Sequence, residues 1–173
     1  YDPRIQPISR ILVKTFRAGG EDLAILGEEE FCCAHEARRM GEKEMFEGTV
    51  EMYEEVFEEA DFQRMVAISP HCFNAFKNEY PDLGGDFEVI HITQFLVELI
   101  EQGKIKPKKS FPKKVTYHDP CYLGRHNKVY DEPRNVLKSI PELELIEFPD
   151  SREDGLCCGG GGGSIWMETK KEE

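Results

Sequence analysis

The sequence predicts an α/β protein, with mostly parallel sheets flanked by helices in a pseudo-twofold repeat. Three observations carry that expectation. Short apolar runs at 23–26, 65–68, 87–90 and 115–118 alternate with longer stretches of helical periodicity. Two of these junctions, Ser69-Pro70-His71-Cys72 and Asp119-Pro120-Cys121, carry the same helix-start chemistry. An adjacent pair of cysteines also occurs twice, at Cys32-Cys33 and Cys157-Cys158.

In chain order, Ile5, Ile8, Ile11, Leu12 and Phe16 recur at helical spacing and stop at Gly19-Gly20, which predicts an amphipathic helix with a glycine end. Leu23-Ala24-Ile25-Leu26, bounded by Gly27, reads as a buried strand delivering the chain to the first doublet. From Ala34 to Glu59 a charge-rich helical pattern runs on, with a break expected near Gly48. Met65 to Ile68 is a second strand. Serine caps and proline suits the first helical position, so Cys72 is expected in the first turn of the helix that follows and ends near Pro81. Phe87 to Ile90 is a third strand, and Phe95, Leu96, Leu99 and Ile100 mark a helix ending near Gly103. Beyond a lysine- and proline-bearing linker, Val115 to His118 is a strand and Asp119-Pro120-Cys121 begins another helix that continues over Arg134 to Ile140. Leu143 to Phe148 alternates as a strand before the second doublet.

Composition removes several functional classes. A formal net charge of -12 repels phosphate backbones, so nucleic acid is not an expected partner. No apolar stretch approaches the roughly 18 residues that a spanning helix needs, and the start lacks a signal-peptide pattern. The chain reads as soluble and cytoplasmic. Six cysteines in a long, periodic chain, four of them in adjacent pairs, favour metal ligation in a reducing compartment over a disulfide framework.

The run Cys157-Cys158-Gly159-Gly160-Gly161-Gly162-Gly163 is the most specific stretch. Glycines allow positive φ and a close backbone approach, so successive N–H groups can face an anionic ligand. It is no phosphate-binding P-loop, because the Gly-Lys-Ser/Thr ending is missing from Gly162-Gly163-Ser164-Ile165. The two doublet-bearing blocks can be superposed. Cys121 lies 36 residues ahead of Cys157, and the same offset from Cys32 falls about four residues before Tyr1. Cys72 lies 39 residues beyond Cys33, and that offset from Cys158 falls past Glu173. The expectation is a piece of a longer polypeptide with a ligand set interrupted at each end.

The doublets, Pro70-His71-Cys72, the run His118-Asp119-Pro120-Cys121-Tyr122-Leu123-Gly124-Arg125 and Cys157-Cys158-Gly159 together resemble the cysteine-rich CCG domains of heterodisulfide reductase catalytic subunits. They are equally similar to the iron-sulfur subunits of glycolate and lactate oxidases, of anaerobic glycerol-3-phosphate dehydrogenase, and of membrane-bound oxidoreductases linked to electron-transfer flavoprotein and quinone. The resemblance covers nearly the whole chain. It implies one unit over 1–105, a linker over 106–114 and a second unit over 115–173. It also implies 4Fe-4S clusters, one of them non-cubane in the complete protein, with Cys32, Cys33 and Cys72 in one ligand set and Cys121, Cys157 and Cys158 in the other. Gly159, Gly160, Gly161, His71 and His118 would then line the bound group. Ala34 departs from the doublet glycine of the family, and Ser69 stands where its closing Cys-x-x-Cys begins. Ending at Glu173, the second set would be incomplete and this half metal-free or unstable.

The implied activity is electron transfer between a partner's redox centre, such as a flavoprotein or a ferredoxin-like segment, and a disulfide, quinone or other carrier. A membrane-anchored subunit or domain is a further implied partner. The competing expectation is a non-catalytic scaffold bearing a cluster or zinc, although the chain lacks the Cys-x2-4-Cys knuckles usual for structural zinc. Beside that implied role at the bound group, His71 and His118 are each expected to fix their loops, as is His35 beside the first doublet, while His91 and His126 read as ordinary polar positions. Trp166 and Met167 are expected to pack a helix against the glycine loop.

Overall fold

The computed structural model describes residues 3–60, 62–81 and 88–166, apart from the Trp166 side chain. The expected contacts of Trp166 and Met167, and the Phe87 start of the third strand, lie outside the described residues.

Helix α1 spans Gln6–Ala18 and is followed by Gly20 at φ 80°. The predicted apolar face is only partly used: Phe16 is buried edge-on against Phe95, ring centres 5.0 Å apart, while Ile5, Ile8 and Ile11 stay exposed. The expected strand at 23–26 does not form. Residues 21–26 lead into a single 3-10 turn, Gly27–Glu29, with Ile25 exposed. Leu23 packs on the cluster around Phe16, and Leu26 packs on the other, central cluster, so the run is divided between two cores. Apolar periodicity over so short a run does not separate a strand from an extended linker.

The next helical pattern breaks at Gly41, not Gly48. Helix α2 spans His35–Met40 and α3 spans Lys43–Glu59, with Gly41 at φ 88° closing α2 in the left-handed conformation that glycine adopts without a Cβ clash. Phe46, Val50 and Tyr53 form the buried stripe of α3. The Tyr53 hydroxyl binds the Phe31 backbone, which fixes the approach to the first doublet.

Strand β1, Arg64–Ala67, pairs in parallel with β2, Glu88–His91, in the register Arg64↔Glu88 to Ala67↔His91. Between them, α4 spans Pro70–Asn74 and runs into a π turn over Ala75–Glu79. Helix α5, Ile92–Glu101, starts directly after β2 with His91 as its cap. In the second half, β3, Lys114–Val115, pairs in parallel with β4, Glu144–Leu145, and α6 spans Asp131–Lys138. The architecture is mixed α/β with parallel pairing in both sheets. The strands at 115–118 and 143–148 are shorter than their apolar runs.

The helix expected to start at Asp119 is a succession of turns over 121–127, and α6 begins only at Asp131. The reason is that the Asp119 side chain is used elsewhere. Arg134, 1% exposed, holds both carboxylate oxygens of Asp119 at 2.7 and 2.8 Å, and the Arg152 N–H donates to one of them at 2.7 Å. The same guanidinium binds Glu147 through two bonds and the Tyr130 carbonyl. An aspartate clamped this way is unavailable as a helix cap.

Leu123 and Val129, from the turns after Cys121, join Phe46, Val50, Phe73, Phe76 and Tyr80 in one buried cluster. The two halves therefore share a core, and hydrogen bonds from Asn127 to Asn74 at 3.0 Å and from Asn78 to Asn127 at 2.9 Å tie them at its edge.

Two stability measurements follow. Arg134→Met leaves the Asp119 carboxylate buried without its partner and should cost about 3–5 kcal/mol in denaturant unfolding, while Glu147→Gln, at the exposed end, costs about 1 kcal/mol or less. His91 is held neutral by burial, its pKa lowered from 6.5 to about 4. The unfolded chain takes up the proton first, so stability is full above about pH 6.5 and falls as the pH drops toward 4. Replacing His91 with Gln should flatten that slope in pH-dependent thermal melts.

Candidate functional site

The first thiol set is assembled where the approach to α2 meets α4. Ser69 caps α4 by accepting the His71 N–H at 3.3 Å, and Pro70 occupies the first helical position, as the sequence predicts. This places Cys72 against the buried Cys33, with the Cys33 thiol donating to the Cys72 sulfur across 3.2 Å. That hydrogen bond lowers the Cys72 pKa to about 7 against the opposing effect of burial, and it holds the Cys33 thiol well above the ordinary range. One proton is thus shared by two sulfurs. Cys32 is exposed beside them. Ala34, at the position of the expected glycine, adopts φ 52°, a left-handed conformation that costs an alanine about 1 kcal/mol or more.

Cys121 and Cys157 of the second set line an open pocket of about 400 Å³ together with Tyr122, Arg125, His126 and glycines of the run. The Gly159 N–H points to the Cys157 sulfur at 3.4 Å. Gly159, Gly162 and Gly163 have φ of 76°, 66° and 78°, so the run uses the backbone freedom that it was expected to need. Gly160 and Gly161 lie between these bends. Cys121 sits in a turn, not a helix start, and its thiol is pushed up, first by burial and then by the neighbouring Cys157 and Cys158. All six thiols are free.

The loop is fastened at both ends. His118 Nε2 donates to the Leu156 carbonyl at 2.8 Å, and Arg125 donates to the Gly155 carbonyl. His118 thereby anchors the backbone that leads into the loop. Beyond the glycines, the Ser164 hydroxyl lies 2.6 Å from the Gly159 carbonyl and 2.7 Å from that of Gly161. Gly124 is required by packing: a Cβ there would fall 2.4 Å from the Tyr130 ring.

Between the two sets lies a junction that sequence reasoning missed. Glu36 Oε1 meets His71 Nδ1 at 3.1 Å, and Glu36 Oε2 accepts the Gly163 N–H at 2.6 Å. The Tyr122 ring packs against His35 and His71 at 4.4 and 4.8 Å between centres. His126, read as an ordinary polar position, instead stacks on Tyr122 at 4.5 Å and lines the pocket. His91 is likewise a buried cap. The available signal was Glu36 directly after His35, following the first doublet.

The donor chemistry fits a metal-sulfide group. Cys33 meets Cys72 in the first set, Cys121 and Cys157 border one pocket in the second, and the Gly159 N–H bonds the Cys157 sulfur there.

In metal-free protein, an alkylating reagent should modify Cys72 well before Cys33, with a rate that falls as the pH drops below about 7. Cys33→Ala removes the donated hydrogen bond and should move that midpoint upward, read by mass spectrometry of the modified peptides.

Comparison with known proteins agrees with this donor pattern. The family model for the CCG cysteine-rich domain matches residues 1–77 and 115–173. The chain is 45% identical over 170 residues to the "Probable iron-sulfur-binding oxidoreductase FadF" of Bacillus subtilis, covering 98% of this chain and 24% of that protein. It is 42% identical over 170 residues to the EtfAB:quinone oxidoreductase of Syntrophomonas wolfei, covering 98% of this chain and 24% of that protein. It is also 42% identical over 161 residues to one polypeptide of the dihydromethanophenazine:CoB–CoM heterodisulfide reductase of Methanosarcina barkeri, covering 90% of this chain and 38% of that polypeptide. The chain thus spans about a quarter to two fifths of the length of these relatives. No solved structure matches the chain. On the family match over most of its length, the chain belongs to the CCG cysteine-rich domain family.

Proposed function

We propose that this chain is the iron-sulfur electron-transfer domain of an oxidoreductase. The observation that carries the reading is the pairing of two separate thiol sets, Cys32, Cys33 and Cys72 against Cys121, Cys157 and Cys158, with a glycine loop whose Gly159 N–H reaches the Cys157 sulfur. Relatives named as an iron-sulfur-binding oxidoreductase and as part of a heterodisulfide reductase support it. Bound to such thiolates, a 4Fe-4S cluster supplies reversible one-electron storage.

The residues divide the remaining work. Cys33 and Cys72 must give up their shared proton to ligate metal, and Ser69 steadies the helix turn that carries Cys72. Gly159 offers a hydrogen bond to a ligating sulfur, which together with burial tunes a reduction potential. His118 and Arg125 hold the loop's backbone so that Cys157 and Cys158 stay beside Cys121. The two sets differ: Cys33 of the first is buried, whereas the second borders the open pocket, so the second is the site at which a disulfide, quinone or other acceptor would be met, and it is the one suited to a non-cubane cluster in the complete protein. The electron donor is a flavoprotein or ferredoxin-like partner on the cytoplasmic side. Among the described residues no helix is long and apolar enough to cross a membrane, so a membrane anchor would belong to a partner or to another part of the polypeptide.

Anaerobic reconstitution with iron and sulfide, followed by metal and sulfide analysis and EPR after reduction, tests the reading. The expected result is stoichiometric iron and sulfide with a reducible signal. Cys72→Ser and Cys157→Ser should each deplete a different part of that content. Zinc without sulfide would overturn the proposal, and clusters that neither accept nor release an electron would favour a structural scaffold.

A further inference from the structure

We propose that His35, Glu36 and His71 form a separate binding site for one divalent transition-metal ion, such as Fe²⁺ or Zn²⁺, at the junction between the two thiol sets. One candidate ligand atom from each of the three side chains lies within 4.8 Å of the others. Two imidazoles and one carboxylate are a donor set suited to these ions, which need ligand atoms about 2 Å from the metal, so modest side-chain rotations toward a common centre close the site.

The strongest evidence is His35. It is 2% exposed, and among the described residues neither ring nitrogen has a hydrogen-bond partner. A buried imidazole without a partner loses the hydrogen bonds it had in water unless something else binds it. The surroundings also resemble the outer support of a metal site. The Gly163 N–H holds the far oxygen of Glu36, which leaves the near oxygen facing His71 and orients the carboxylate as ligating carboxylates commonly are. The Tyr122 ring walls the two imidazoles. Arg39, a cation close enough to act on His35, is engaged by Glu79. None of the three ligands is a thiol, so the site stands apart from the cysteine sets and does not rest on the iron-sulfur reading. Its consequence is positional: an ion held by α2 and α4, with Glu36 still holding Gly163, would lock the glycine loop to the first half.

Cobalt(II) titration of the full chain, followed by visible spectroscopy, tests this whether or not the thiols are already occupied. Nitrogen and oxygen ligands give ligand-field bands without the near-ultraviolet charge transfer that thiolate adds. Beside any cobalt that free thiolates take up, the expected result is one thiolate-free cobalt site, weakened about tenfold or more by His71→Ala and by Glu36→Gln, and unchanged by Glu144→Gln at an exposed carboxylate. His71 and Glu36 are partly exposed, so these variants avoid the cavity that His35→Ala would open, and circular dichroism checks their folding. Cobalt bands that always carry thiolate charge transfer, or a thiolate-free site that survives both substitutions in folded protein, overturn the proposal. Retention of this site in a protein that takes up no iron and sulfide would instead separate it from the cluster reading.

Discussion

The Glu36 carboxylate is the constraint on which the arrangement of the site depends. One of its oxygens faces His71, adjacent to Cys72 in the first half, and the other holds Gly163, at the end of the glycine run in the second. A single side chain thereby connects positions 127 residues apart in sequence. Tyr122, next to Cys121, completes the contact by packing on His35 and His71. Two sets of thiols that could have been independent are thus placed on either side of one polar junction.

Around this junction the protein uses different means to fix the two sets. The first is fixed by burial and a short helix: Cys33 lies in the main core, and Cys72 is placed by the Ser69 cap. The second is fixed by loops, and loops need polar anchors because their backbone groups cannot satisfy one another as those of a helix do. Asp119 and Arg134 supply the buried anchor, His118 and Arg125 the outer ones. The result is a first set with a buried thiol, Cys33, and a second set beside an open pocket.

Much of this was legible in the sequence, and the exceptions have physical causes. Ser69-Pro70 announced its helix because capping is local chemistry. Asp119-Pro120 carried the same local signal and did not start a helix, since Arg134, fifteen residues away, claims the carboxylate. The run Leu23 to Leu26 looked like a strand because its side chains are apolar; which core each would enter was a tertiary matter. The doublets and glycine run pointed to the donor set directly, whereas Glu36 and Tyr122 matter only through contacts between the halves, which no local pattern encodes. His35 shows the same limit, since a histidine beside a doublet does not reveal whether its nitrogens are solvated or buried without partners.

The central claim is that the two thiol sets hold iron through sulfur. Iron K-edge X-ray absorption on anaerobically loaded protein tests it most directly, because the scattering identifies the atoms around the metal. The account predicts a first shell dominated by sulfur, with an iron–iron contribution that marks a cluster. A shell of nitrogen and oxygen alone, without iron–iron scattering, would contradict it.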